Sequence, residues 1–244
     1  MPISTFDEAR AIVGDTGGGT SPERGRQLFD WVREHKPTDC LELGFAHGVS
    51  TVYIATALQA NGHGSLTAVD NRSALDREPS AADLLGRGGL DGRVELVYES
   101  TSYNWFLHRR LREQLADGAI RPVYDFCFLD GAHTWVDDGF AFFLVDKLLR
   151  PGGWILFDDL PWKLDERWDV PPAERDIAQV QEVFDLLAVT HPQYDRIETD
   201  GDWGWARRSQ AASPAVRTVV KRDILGAAME GARLVRRRIQ RRAS

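Results

Sequence analysis

Short apolar runs alternate along the chain with longer segments in which apolar residues recur every three to four positions. The short runs are typical of strands buried on both faces, and the longer segments are typical of helices that pack on one face. The predicted strands cover residues 40–43, 65–69, 94–98, 124–129, 154–157, 194–198 and 203–207. The predicted helices cover residues 6–13, 50–59, 81–85, 105–115, 137–149 and 174–188, and a further helix opens at Ser21-Pro22-Glu23.

This alternation predicts an α/β fold built from strand-helix-strand units with right-handed crossovers. We expect a Rossmann-like, doubly wound and mostly parallel sheet with helices on both faces. The last two strands flank the turn Thr199-Asp200-Gly201-Asp202, which predicts an antiparallel pair at the C-terminal end of the sheet. The glycine-rich segment 14–19 precedes the second helix and is interpreted either as a lid or as a connector without regular structure.

The distribution of charge along the chain separates a basic C-terminal tail from an acidic body. The formal net charge is −7, but residues 209–244 carry nine Lys or Arg against Asp223 and Glu230, which is +7 and leaves −14 for the rest. We therefore expect N-terminal helices with a possible lid in residues 1–35, an α/β domain in 36–208 and a basic tail in 209–244.

Residues 213–242 predict a basic helix with an apolar stripe. One interpretation is a helix that touches a membrane surface or an acidic partner, such as a second subunit of a homodimer. The other is a packed terminal helix whose arginine-rich end is solvated.

Composition excludes several classes of protein. Hydrophobic residues make up 43% and charged residues 27% of the 244 residues, and no apolar run approaches the ~20 residues of a membrane helix. The N-terminus lacks a secretory signal, so we expect a cytoplasmic protein. Cys40 and Cys127 lie in apolar runs without CxxC spacing, which predicts buried thiols. The acidic body disfavours nucleic acid as a partner.

Carboxylates end two of the predicted strands. Phe128-Leu129 is followed by Asp130, and the run Ile155-Leu156-Phe157 is followed by Asp158 and Asp159. Parallel strands end at one edge of a sheet, where open α/β folds bind their ligands. Three carboxylates in one crevice repel each other unless a cation joins them, so the pattern predicts a metal site.

The turn after the first strand carries two glycines, Gly44 and Gly48, in the sequence Leu41-Glu42-Leu43-Gly44-Phe45-Ala46-His47-Gly48-Val49-Ser50. Glycine permits a sharp bend and close approach of a ligand, and the amides of the following helix attract a negative group. The turn matches neither GxGxxG nor GxxxxGK[ST], which disfavours a nucleoside triphosphate. Asp70 ends the next strand, the position of a carboxylate that receives ribose hydroxyls. The two features indicate a nucleoside without a polyphosphate.

With these motifs, residues 20–205 resemble the class I S-adenosylmethionine-dependent methyltransferases. More narrowly, they are similar to the metal-dependent O-methyltransferases, which include catechol O-methyltransferase and the macrolide-sugar methyltransferases of actinobacteria. The resemblance implies that Ser50 binds the methionine carboxylate, that Asp70 binds the ribose and that Ser100 lies near the adenine. It also implies that Glu42, Gly44 and Gly48 shape the methionine pocket.

The same resemblance implies that Asp130, Asp158 and Asp159 bind Mg²⁺ or another divalent cation. The catechol enzymes have Asn at the second position of the acidic pair, so Asp159 favours the sugar-modifying branch. His133 stands where the catechol enzymes place a basic lysine, which implies a general base. In the alternative, Asp130 is the base and His133 a hydrogen-bonding neighbour.

The expected function is Mg²⁺-dependent transfer of a methyl group from S-adenosylmethionine to a hydroxyl of a small molecule, a sugar or an oligosaccharide such as a polymethylated polysaccharide precursor. Segment 161–175 and Trp105, Trp135, Trp162 and Trp168 are expected near the acceptor. A catechol-like or polyketide acceptor is the alternative. In a different class of function, the chain is a partner subunit that binds S-adenosylmethionine without catalysis.

Overall fold

The protein is described by a computed structural model that covers residues 1–17 and 19–211, so the predicted basic helix 213–242 lies outside the described residues. A seven-stranded sheet with the order β3-β2-β1-β4-β5-β7-β6 forms its centre. The strands are β1 (Asp39–Leu43), β2 (Ser65–Asn71), β3 (Val94–Glu99), β4 (Tyr124–Leu129), β5 (Leu149–Phe157), β6 (Tyr194–Asp200) and β7 (Trp203–Arg208). Strands β1 to β5 are parallel, and β7 runs antiparallel to β5 and β6. The predicted fold class is confirmed.

Helices cover both faces of this sheet. They are α1 (Phe6–Val13), α2 (Pro22–His35), α3 (Val49–Asn61), α4 (Ala81–Gly88), α5 (Asn104–Ala116), α6 (Trp135–Leu148), α7 (Pro172–Arg175) and α8 (Gln179–Val183). Because side chains alternate along a strand, β4 sends Phe126 and Phe128 into the core beneath α1 to α4. Cys127 and Leu129 enter the second core, beneath α5, α6 and α8. The sheet is therefore buried on both sides, and its carboxyl edge is left open for ligands.

Helix α2 begins where the sequence predicts, directly after Ser21. The Ser21 hydroxyl accepts a hydrogen bond from the backbone N–H of Arg24, and Pro22 occupies the first turn, where its missing N–H is not needed. The helix packs against α3 and carries Leu28 and Val32 into the core with no exposed surface. This helix directly precedes the strand that leads into the glycine turn.

The predicted helix over residues 174–188 is wrong in its continuity. The structure has a single turn at α7, a break, and then α8, which continues into a π-helix over Phe184–Ala188. Gln179 explains the break, because its side chain accepts a hydrogen bond from Trp135 N (2.7 Å) and donates one to Glu174 O (3.0 Å). The amide thus ties the start of α8 to the start of α6 and replaces helical hydrogen bonds at this point.

Two further expectations concern buried and membrane-spanning residues. Cys40 and Cys127 are buried free thiols, as predicted. Among the described residues, no helix has both the length and the apolar character that are needed to cross a bilayer.

Candidate active site

Hydrogen bonds between neighbouring strands continue past their carboxyl ends and align the predicted site residues. Asp130 N donates to Leu43 O (2.9 Å), and Asp158 N donates to Leu129 O (3.0 Å). Gly44 N donates to the end of β2 in the same way. The glycine turn and the two acidic strand ends therefore leave the sheet side by side.

Both glycines of the turn are required by close contacts. Gly44 has a φ of +92°, and a Cβ there would lie 1.9 Å from the carbonyl oxygen of Asp130. Gly48 has a φ of +85°, and a Cβ there would lie 2.6 Å from the Cβ of Ala81 in α4. Larger residues would collide with backbone at the first position and with a packed helix at the second. Gly44 is thus the contact between the glycine turn and the acidic end of β4.

Asp70 closes the glycine turn from the end of β2. Its Oδ2 accepts hydrogen bonds from Phe45 N (2.9 Å) and Ala46 N (2.7 Å), and its Oδ1 accepts one from Asn71 N (2.6 Å). These bonds hold Ala46 at a φ of +45°, which is costly for a residue with a side chain. Asp70 also lines a cavity of about 210 Å³, as expected of a residue that faces a nucleoside.

Glu42 lies beneath the turn and has no exposed surface. Its carboxylate accepts hydrogen bonds from the hydroxyls of Ser50 (2.5 Å) and Thr51 (2.6 Å). Burial raises the pKa of Glu42 to about 7 despite these two bonds, which act to lower it. The hydroxyl proton of Ser50 is already committed to Glu42, so this hydroxyl is not free to donate to a ligand carboxylate.

The side of the cleft where adenine is expected, in the donor half, is formed by residues that follow β3. Of the described residues in this segment, Thr101, Ser102 and Tyr103 line the 210 Å³ cavity, whereas the predicted residue Ser100 is exposed and does not. The structure therefore shifts this part of the wall by one to three residues from the sequence expectation.

The acidic strand ends meet His133 in the half of the cleft where the acceptor is expected (the acceptor half). His133 Nε2 lies 3.2 Å from Asp159 Oδ2 and 3.7 Å from Asp130 Oδ1. One ligand atom from each of the three residues can be chosen so that all lie within 4.8 Å of one another. His133 and Asp159 each adopt a φ of +55°, an uncommon conformation for residues with a side chain, and both line a cavity of about 540 Å³.

Asp158 does not belong to that cluster. Its Oδ1 accepts hydrogen bonds from Trp203 Nε1 (2.6 Å) and from Asp159 N (2.9 Å). Its carboxylate groups with those of Asp159 and Asp202 rather than with that of Asp130. Asp159 is thus common to both acidic groups, and the three predicted metal ligands do not form a single three-atom cluster.

A second cavity joins the two halves of the cleft. It has a volume of about 540 Å³ and is lined by Val49 and Ser50 of α3 as well as by Asp130, His133 and Asp159. It shares walls with the 210 Å³ cavity. Two predicted donor-binding residues, Gly44 and Ser50, therefore line the same cavity as the predicted metal ligands Asp130 and Asp159.

Comparison with known proteins indicates the kind of domain that this chain contains. Residues 41–160, just under half of the 244 residues, match a family model described as a methyltransferase domain. Among curated proteins, no significant match is found.

Several solved methyltransferases have a similar fold. An O-methyltransferase from Bacillus cereus in complex with SAH is 22% identical, with a TM-score of 0.58 over 84% of this chain and 91% of that one. TomG from Streptomyces achromogenes, involved in tomaymycin synthesis and in complex with SAM, is 22% identical, with a TM-score of 0.59 over 84% and 89%. MycE, in complex with Mg, SAH and mycinamycin VI, is 14% identical, with a TM-score of 0.55 over 93% of this chain and 59% of that one.

Crowded carboxylates dominate the electrostatics of the acceptor half of the cleft. Burial, followed by the charges of Asp158 and Asp159, raises the pKa of Asp130 well above its ordinary value. Burial and then the charge of Asp159 likewise raise the pKa of Asp158, to about 6. For His133, burial acts to lower the pKa, but the hydrogen bond to Asp159 and the nearby carboxylates raise it overall. A bound cation would relieve this repulsion.

Sequence reasoning missed two residues, Tyr103 and Asp138, that support the candidate site. Tyr103 OH donates a hydrogen bond to Asp138, which is 1% exposed in the first turn of α6, and it accepts one from Ala132 N (3.3 Å). Gly131 packs on the same ring, where a Cβ would lie 2.3 Å from it. The loop that carries His133 is thus fixed by the tyrosine that begins α5. An acidic residue at a helix start ordinarily indicates a solvated group, so no local signal predicts this burial.

Proposed function

We propose that this methyltransferase transfers the methyl group of S-adenosylmethionine to a hydroxyl oxygen of a sugar or oligosaccharide, with the assistance of a divalent cation such as Mg²⁺. The 540 Å³ cavity supports this most directly, because it is lined both by the start of α3 and by the cluster of Asp130, His133 and Asp159. A methyl donor bound at the start of α3 and an acceptor bound at the cluster would therefore lie in the same cavity.

The donor half suits a positively charged nucleoside. Asp70 lines the 210 Å³ cavity together with Asp137, so its electrostatic character is negative on this side. Val49 and Ser50, in the first turn of α3, line the adjoining 540 Å³ cavity, and the unpaired N–H groups of a helix start favour a carboxylate. S-adenosylmethionine carries both kinds of group, because it has cationic sulfonium and ammonium groups as well as a carboxylate.

The acceptor half has oxygen ligand atoms that suit a hard cation such as Mg²⁺. Asp130 and Asp159 offer carboxylate oxygens, and burial together with the charges of Asp158 and Asp159 raises the pKa of Asp130. A divalent cation bound there would hold the acceptor hydroxyl and lower its pKa. Asp158 would contribute through its orientation of Asp159, whose backbone N–H it binds.

His133 is our proposed general base. Its Nε2 lies at the edge of the cluster, and Asp159 and Asp130 would stabilise the imidazolium that forms when it takes a proton. Asp130 remains the alternative base. When His133 is the base, the carboxylates of Asp130 and Asp159 would stabilise the protonated ring until it releases the proton to solvent.

Aromatic side chains beside the cluster support a saccharide acceptor. The ring of Trp162 lies 5.0 Å from that of His133, and Trp168 lies 6.4 Å from Trp162. Both belong to the predicted recognition segment 161–175, and tryptophan faces stack on sugar rings as well as on aromatic acceptors. The neighbour MycE was solved with Mg and mycinamycin VI, which is compatible with a metal-assisted reaction.

A labelled-donor screen tests this proposal. The purified protein is incubated with methyl-deuterated S-adenosylmethionine and a panel of monosaccharides, oligosaccharides and catechols, each with Mg²⁺ or with EDTA. We expect mass spectrometry to detect one labelled methyl group on a saccharide, with loss of product in EDTA and recovery when Mg²⁺ is added in excess.

Each part of the proposal fails separately in this screen. Label on catechols alone would replace the saccharide acceptor, and full turnover in EDTA would remove the cation. Tight binding of the donor without transfer to any acceptor would favour a non-catalytic partner subunit. Absence of donor binding would overturn the donor itself.

A further inference from the structure

One cationic side chain stands over the donor half of the cleft. Arg77 lines both the 210 Å³ and the 540 Å³ cavities, and of the Lys and Arg residues in the described ranges it alone lines either one. The residue is exposed, and within residues 1–17 and 19–211 its side chain forms no hydrogen bond or ion pair. It does not pair with the carboxylates of Asp70 or Asp130 that line the same cavities.

The loop that carries Arg77 is fixed to the glycine turn. A 3₁₀-helix over Arg72–Asp76 precedes it, capped by the side chain of Asn71. On the other side, Pro79 O forms a hydrogen bond with His47 Nδ1 (2.9 Å). The close packing of Gly48 on Ala81 holds the next helix in place. The backbone of Arg77 is therefore held next to the start of α3.

Charge in the cleft explains why an arginine is needed at this point. The two cavities are walled by four carboxylates, which suit the sulfonium and ammonium groups of the donor but repel its carboxylate. These are Asp70, Asp130, Asp137 and Asp159. The hydroxyl of Ser50, expected to bind this carboxylate, donates to Glu42 instead. A carboxylate in this space requires a different cationic or N–H partner.

We propose that Arg77 binds the α-carboxylate of S-adenosylmethionine, an inference that rests on the proposed function. Arg77 shares the 540 Å³ cavity with Val49 and Ser50, whose N–H groups lie in the first turn of α3. A guanidinium group binds a carboxylate through two parallel N–H donors and is strongest where few other cations compete. Arg77 is thus a donor-binding residue, and it selects for donors that retain the carboxylate.

Two donors that differ in one group test this role. S-adenosylmethionine and decarboxylated S-adenosylmethionine share the adenosine, the sulfonium and the amine, and only the first has a carboxylate. Isothermal titration of both ligands with the wild-type protein and with Arg77→Gln forms a double-mutant cycle. We expect Arg77→Gln to weaken the binding of S-adenosylmethionine by about 10-fold, because one charge-assisted hydrogen-bond pair is lost. The binding of the decarboxylated donor should weaken by less than 2-fold.

Arg72→Gln is the matched control. Arg72 is exposed, lies in the same segment and lines neither cavity, so its loss changes net charge equally without removing the proposed contact. Arg77→Lys should recover part of the affinity for S-adenosylmethionine. Thermal melting of each variant verifies that the fold is retained.

Several results would overturn the inference and leave the proposed function intact. Equal weakening of both donors by Arg77→Gln would show a structural role, and equal weakening by Arg72→Gln would show a general charge effect. Unchanged affinity for S-adenosylmethionine would exclude donor binding by Arg77 and point to an anionic group on the acceptor. If the wild-type protein binds neither donor, the proposed function fails and this inference fails with it.

Discussion

The two halves of the cleft differ in how their carboxylates are satisfied. In the donor half, Asp70 accepts three backbone N–H bonds and Glu42 accepts two hydroxyl bonds. In the acceptor half, the side chains of Asp130 and Asp159 have His133 as their one hydrogen-bonding or ionic partner within the described residues. The donor half is therefore organised by the chain itself, whereas the acceptor half is left with negative charge that a ligand must neutralise.

Gly44 is the point at which the two halves touch, and its replacement should have the largest effect. In Gly44→Ala the new Cβ would meet Asp130 O at 1.9 Å, in a backbone conformation that alanine adopts poorly. Because backbone cannot move aside as a flexible side chain can, we expect a loss of about 4 kcal/mol or more in the free energy of unfolding. Chemical denaturation measures this loss.

Gly62→Ala is the matched control for this change. Gly62 also has a positive φ, +78°, but nothing lies within 4 Å of the position that a Cβ would take there, so we expect a cost of only about 1 kcal/mol from backbone strain. If both variants lose the same stability, the contact between the glycine turn and Asp130 does not couple the two halves.

Asp130→Asn separates the halves by function. The change keeps the shape of the side chain but removes a charge that the acceptor half uses, so we expect kcat to fall by about 10²- to 10³-fold. The affinity for S-adenosylhomocysteine, measured by calorimetry, should change by less than about 3-fold, as Asp70 and the glycine turn are untouched. Asp117→Asn, in an exposed helix cap, controls for net charge. A parallel loss of product affinity would contradict the division into halves.

Glu42→Gln tests how much the burial of a carboxylate beneath the glycine turn costs in free energy of unfolding. The pKa of Glu42 is about 7 in the folded protein against an ordinary value of 4.5, so the folded state favours the protonated acid. The protonated Glu42 therefore stabilises the fold fully below pH 4.5. This stabilisation is lost as the pH rises through 7, which lowers the free energy of unfolding by about 3 kcal/mol. Glu42→Gln should therefore be more stable than wild type at pH 8, with a flatter dependence of unfolding free energy on pH.

The exposed Glu95→Gln variant should retain the wild-type pH dependence and thereby isolate the effect of burial. If Glu42→Gln retains the same slope as well, Glu42 is ionised throughout, and its two hydroxyl partners compensate for the lack of solvent.

Local sequence signals predicted the strand ends and the glycine turn because both depend on neighbouring residues. The placement of Asp130 beside Gly44 follows from parallel strands, and the structure has this register. The orientations of Asp158 and Ser50 could not be predicted in the same way. Asp158 binds Trp203, 45 residues away, and Ser50 turns its hydroxyl toward a buried acid rather than toward the cleft.

Long-range contacts also explain the residues that sequence reasoning missed. Asp138 is buried by Tyr103, which lies 35 residues earlier in the chain, and neither residue has a local pattern that indicates the other. The break between α7 and α8 depends likewise on a hydrogen bond that joins Gln179 to α6. The fold follows from periodicity, whereas side-chain orientation in the site depends on which elements the fold brings together.

Asp70→Asn and Asp159→Asn should shift stability in opposite directions, which is the finest test of the comparison. Asp70→Asn replaces an oxygen that accepts backbone N–H bonds with an amide, so the free energy of unfolding should fall by about 2 kcal/mol. Asp159→Asn relieves repulsion with Asp158 and suits a φ of +55° better, so unfolding in EDTA should cost about 1 kcal/mol more. Thermal melts in EDTA measure both shifts. If both variants melt lower than wild type, the acceptor half is already neutralised by the chain, and it needs no cation to be stable.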